Sequence, residues 1–89
     1  MKAVITVTGK DSVGIIAKVA TECSLYKANI IDISQSVLSE YFAMIMLVDI
    51  HELTLDFSEF SDKLADLGKD CGLDIHVMHE NIFNSMHNI

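Results

Sequence analysis

The chain has no proline, no tryptophan and no arginine, so its six non-histidine cations are all lysines. Without arginine, no bidentate guanidinium fork can grip a phosphate or a carboxylate. Thirteen acidic residues outweigh the lysines and set a formal net charge of −7. Nucleic-acid backbones are bound through counterion release from basic patches, which this balance opposes. An anionic membrane surface is opposed for the same reason. Cysteine is sparse: Cys23 and Cys71 form no CxxC and sit among apolar neighbours. They read as free thiols of a reducing compartment, with a single disulfide left open. Long apolar runs are also missing. The longest, FAMIMLVDI at 42–50, is interrupted by Asp49 and is far short of a membrane span. Met1 and Lys2 lead straight into AVITVTG, too short for a secretory core, so a cytoplasmic location is expected.

What is present fits one small domain. A chain of 89 residues can bury roughly 60% of its unfolded surface, enough for one modest core. Hydrophobic residues make up 51% and charged residues 21%, which excludes disorder. Charge is uneven. Lys2, Lys10, Lys18 and Lys27 face only Asp11 and Glu22 in residues 1–30, while Lys63 and Lys69 face eleven acids in the remainder. A small anion would therefore be met by the N-terminal third.

The patterning alternates between strand and helix. KAVITVT at 2–8 is rich in β-branched residues and reads as a strand ended by Gly9. Asp11 and Ser12 are placed to cap a helix starting near Val13, with Gly14 in its first turn. Ile16, Val19, Ala20, Cys23 and Tyr26 form its apolar face. ANIIDISQSVL at 28–38 reads as a second strand, with Ile31, Ile33 and Val37 on one face and Ile30, Asp32 and Ser34 on the other. Residues 41–51 read as a third strand that is apolar on both faces, so a cover for the second face is expected, another subunit being the simplest candidate. Asp56 and Glu59 have capping-box spacing, with Leu55 and Phe60 placed as a hydrophobic staple. The following helix carries Phe60, Leu64, Leu67 and Cys71 and stops at Gly72. LDIHVMH at 73–79 reads as a fourth strand. In the tail, Ile82, Phe83 and Met86 have the spacing of a short docked helix. The order βαββαβ predicts an α+β, ferredoxin-like sandwich: a four-stranded antiparallel sheet, strands one and three central, both helices on one face.

Few residues are arranged for catalysis. His76 and His79 lie three apart on a strand and point to opposite faces, and no histidine pair has i, i+4 spacing. The spacings call for no metal, although a site shared between subunits by His51, His79 or His87 stays open. No serine occupies a G-x-S-x-G elbow. Acylphosphatases of this fold use an arginine in the first loop, and copper chaperones a CxxC there; this chain has neither. RNA-recognition domains need basic character and exposed central-strand aromatics, and only Tyr41 and Phe42 are aromatic here. The remaining lead is the loop GKDSVGI, which follows a strand and opens a helix. Helix N-termini attract anions. A plainer role is turning at Gly9 and Gly14 with Asp11 as a cap.

The run AVITVTG, KDSVGI, IIAKVATECSLYKA, NIIDISQS and YFAMIMLVDI resembles an ACT domain over residues 1–79. Its specific elements are Asp11-x-x-Gly14-Ile15 and Ala28-Asn29-Ile30. The tail at 80–89 is similar to that of small stand-alone bacterial ACT proteins, and glycine-cleavage regulators carry related domains. The resemblance implies a non-enzymatic regulatory domain that binds an amino acid or similar small metabolite at a homodimer interface, with no cofactor. It implies that Lys10, Asp11, Val13, Gly14 and Ile15 line the site, with Asn29 and Ile30 alongside. Two positions depart from the family pattern. Gly9 stands where some members carry histidine, and Val13 where proline is frequent. The alternative is an assembly module without a small ligand, docking through its open sheet face and Ile82, Phe83 and Met86.

Overall fold

Alternating β-branched and apolar residues drive the first strand to bury one face. The computed structural model, which describes residues 1–10 and 13–87, shows that strand as β1 (Lys2–Gly9). Then follow α1 (Ile15–Leu25), β2 (Asn29–Leu38), β3 (Tyr41–Asp49), α2 (Phe57–Cys71), β4 (Asp74–His79) and α3 (Glu80–His87). The four strands form one antiparallel sheet in the order β2-β3-β1-β4. The sandwich and the central placement of strands one and three are thus as the βαββαβ pattern predicts. The molecule measures 36 × 34 × 19 Å, two layers deep.

Register fixes the core. Ala3, Ile5 and Val7 of β1 pair with Val48, Met46 and Met44 of β3, and all six are fully buried. Val19 and Cys23 from α1 and Phe60 and Leu64 from α2 close over them. Tyr26 meets Phe60 edge to face, ring centroids 6.3 Å apart. Each such buried side chain contributes about 1.5–3 kcal/mol.

Four local expectations are corrected. First, α1 begins at Ile15 rather than near Val13, and Gly14 is its N-cap, outside the helix, with φ 72°. Starting there turns Ile15 into the core and leaves Ile16 41% exposed, while Val19 and Cys23 of the expected face are buried. The proposed caps Asp11 and Ser12 lie outside the described residues. Second, a bulge between Ile30 and Asp32 resets the alternation of β2. Ile30 pairs with buried Val48 on the helix side, so it shares a face with Ile33 and Val37 and not with Asp32 and Ser34. Third, Asp56 caps α2 only through its backbone: its carbonyl accepts the Phe60 N–H at 2.9 Å, and its side chain makes no cap bond. Fourth, the third strand stops at Asp49, whose carboxylate accepts the His51 N–H at 2.8 Å and turns the chain.

Both long helices end alike. Lys27 takes a left-handed conformation after α1 (φ 61°), and Gly72 does so after α2 (φ 71°). The next N–H reaches back in each case: Ala28 to the Cys23 carbonyl at 2.8 Å, Leu73 to the Gly68 carbonyl at 2.7 Å. The helix-free face of the sheet has a partial cover of its own. Val4 is only 4% exposed there, although it pairs with Leu47 and Met78 on that side. The cover is α3, which packs against β1 and β4. Tyr41 and Ile45 of β3 remain 51% and 43% exposed beyond its reach.

Gly68 shows how tightly α2 sits. A Cβ there would lie 2.8 Å from the Leu73 carbonyl oxygen and 2.9 Å from Ile75 Cγ1. Alanine would add about 1 kcal/mol of helix propensity, yet overpacking costs typically 1–3 kcal/mol. Gly68→Ala should therefore lower stability; a raised urea midpoint would show that α2 can shift to make room.

Candidate functional site

The loop after β1 and the start of β2 carry the residues expected to bind. In one chain they do not meet. Gly9 is level with Phe42 and Val37, whereas Asn29 is level with Asp49 and Lys2. Seven strand residues and two strand spacings separate them, roughly 25 Å. Lys10 and Asn29 therefore belong to opposite ends of the sheet.

At the loop end, Gly14 holds its left-handed turn with open space around the position a Cβ would take. The requirement for glycine here is conformational. Val13 is 86% exposed, while Ile15 is buried and can offer a ligand only its backbone N–H. Among the described residues, the first turn of α1 carries no acidic residue and Gly14 brings no side-chain cap. Asp11 lies outside the described residues. Lys10 turns away from α1: its Nζ sits 5.5 Å from the centre of the Tyr41 ring.

Two grooves flank these ends. The first, of about 550 Å³, is lined by Asn29 and Ile30 with Ser24, Lys27, Asp49, His51 and Glu52. It can offer both signs of charge to a small zwitterion. The second, of about 830 Å³, holds Lys10 and Gly9 beside Tyr41, Lys69, Cys71 and Asp74. Val13, Gly14 and Ile15 line neither. Residue reading alone missed Tyr41 and Lys69 at one end and Asp49 and His51 at the other. Strand register was the missing signal, because it puts the β2–β3 hairpin beside the first loop.

Among the described residues, no three histidine, cysteine or carboxylate side chains converge to hold a metal ion. His76 pairs with Thr6 and His79 with Ala3, placing them on opposite faces as their spacing predicts. His79 stacks on Phe57 with centroids 3.9 Å apart. No described helix is long and apolar enough to cross a membrane.

The ACT domain family model matches residues 2–78, nearly the whole described fold. The chain belongs to the ACT domain family. A UPF0237 protein of Listeria monocytogenes is 44% identical over 89 residues and is covered in full, as is this chain. The solved ACT domain protein from Streptococcus pneumoniae superposes with a TM-score of 0.82, at 40% identity and 93% coverage of both chains. A glycine cleavage system transcriptional repressor shares the fold, with a TM-score of 0.72 at 24% identity. It matches 86% of this chain but 44% of the repressor. The ACT match ends at residue 78, before α3.

The two thiols are free and differ in setting. Burial, aided by the charge of Glu22, pushes the Cys23 thiol up to about 11. Cys71 is half-buried and accepts a long hydrogen bond from Lys18 Nζ at 3.7 Å. A thiol reagent at pH 8 should modify Cys71 alone in the folded ACT domain and both cysteines after denaturation. The raised Cys23 value favours the folded state below pH 9 and loses that contribution as pH rises toward 11. Cys23→Ala should remove this component from the pH dependence of the urea midpoint; identical curves would place the thiol in contact with water.

Proposed function

We propose that this ACT domain is a non-enzymatic regulatory module that binds an amino acid or similar small metabolite at a homodimer interface. The observation that carries the proposal is the state of β2. This ten-residue edge strand is exposed along 31–37, with Ile31, Ile33 and Val37 at 47%, 37% and 71%. Beyond Asp32 it has no charge, proline or bulge to discourage pairing. A second copy can add its own β2 antiparallel about a two-fold axis.

That pairing supplies what one chain lacks. It sets the start of one β2 beside the end of the other. The loop and the partner's Asn29 are then separated by three strand spacings, roughly 14 Å before side chains and ligand are counted. The α1 amides at Gly14 and Ile15 would take the carboxylate, with Val13 as an apolar wall. Asn29, aided by Asp49, would hold the ammonium, and Ile30 would bound the side chain. Asp11 is assigned to the ammonium as well, on the family resemblance. Ligand binding would then favour one dimer geometry, the regulatory output.

The assembly reading is favoured by a different observation. Ile82 and Met86 on α3 are 52% and 66% exposed, one helical turn apart. A thermal-shift screen of the twenty amino acids separates the two readings. A ligand at 100 times its Kd should add about 2.7 kcal/mol. No stabilisation by any of them, with melting still dependent on protein concentration, would leave assembly as the function.

Val37→Lys should place a charge on the paired edge and convert the dimer to monomer; an unchanged sedimentation profile would sink the β2 interface. Complementation tests the shared site. Gly14→Val and Asn29→Ala should each abolish ligand stabilisation alone. Mixed in equal amounts and reassociated, they should restore about a quarter of the sites. No restoration would mean that each site lies within one chain.

A further inference from the structure

The 830 Å³ groove is not absorbed by the proposed amino-acid site, and its chemistry differs. It lies between the β2–β3 hairpin and the turn from α2 to β4, and no described α1 residue lines it. Lys10 and Lys69 reach it from different elements, and Cys71 on its wall holds the Lys18 ammonium. Two of the six lysines of a chain with net charge −7 thus line this one groove. Asp74 is the one acid among the described lining residues. The nearby end of α2 does not cancel this charge, because the Gly68 and Lys69 carbonyls accept the Leu73 and Gly72 N–H groups.

A second feature specifies shape. Tyr41 is 51% exposed and forms one wall, with the Lys10 ammonium already 5.5 Å from its ring centre. An exposed aromatic face in a groove is a stacking platform, and a cation beside it favours a ligand that is both flat and negative. The volume lies in the range of small-molecule sites and exceeds the needs of a simple amino acid.

We propose that this groove is a second binding site, for a small organic anion that carries a flat ring. The ring stacks on Tyr41, and the anionic group sits between Lys10 and Lys69. A nucleoside monophosphate and an aromatic carboxylate share this chemistry.

Amide NMR titration of the full chain with adenosine monophosphate, benzoate and inorganic phosphate tests the site. One or both ring compounds should give saturable shifts in Thr8, Gly9, Tyr41 and Lys69 through Asp74. The tighter of the two identifies the anionic group. Lys69→Ala and Tyr41→Ala should each raise the Kd about tenfold, and Lys69→Arg should retain binding. Both residues are exposed, so neither change removes core packing. Asn29→Ala should leave these shifts unchanged, which separates this site from the amino-acid site. Absence of saturable shifts at about 10 mM would overturn the proposal. So would phosphate alone binding as well as the ring compounds, or equal weakening by Asn29→Ala.

Discussion

Two helices can cover only one face of a four-stranded sheet, and much else in this molecule follows from that limit. The central pair of β1 and β3 buries Ala3, Ile5, Val7, Met44, Met46 and Val48 under α1 and α2. Nothing of comparable size remains for the other face. Helix α3 shields Val4 and stops short of Ile45 and Tyr41. The edge strand β2 runs past its own cover, so Val37 stays in water although it points to the helix side. A chain this short has unspent apolar surface because surface falls slowly with size.

The turn between α2 and β4 joins the two layers. Leu73 is buried where a Cβ on Gly9 would collide with its side chain, and its carbonyl oxygen lies against Gly68. One leucine thus accounts for two of the four glycines. It also explains a departure from the family pattern. Where some ACT domains place histidine, this chain packs Leu73 against a glycine, and Lys10, Tyr41 and Lys69 line the groove at that end.

Membership of the ACT family and the geometry of β2 together favour a site completed by a second chain. A roughly 25 Å separation within one chain exceeds any amino acid, and an antiparallel edge pairing nearly halves it. The dimer on this reading is part of the binding chemistry, because the start of α1 and Asn29 lie at opposite ends of one chain's sheet. Lys10 sits outside this arrangement, held over Tyr41 at the mouth of the other groove.

The order of elements was legible in the residues because each has a period of its own: two for KAVITVT, a helical stripe at Phe60 and Leu64, and glycine stops at Gly9 and Gly72. These are local effects of backbone sterics and apolar spacing. So was the crowded third strand, whose lack of a polar face announced a missing cover. What lay beyond the sequence was whatever depends on register and on distant neighbours. The bulge at Ile31 is written nowhere in NIIDISQS, and it moves Ile30 to the opposite face. The start of α1 shifted by two residues because Ile15 outcompeted Ile16 for the core, a choice set by the sheet beneath. Separation of the candidate site into two ends was equally hidden. Spacing along a chain gives no distance across an antiparallel sheet, and only the pairing of Gly9 with Phe42 and of Asn29 with Asp49 decided it.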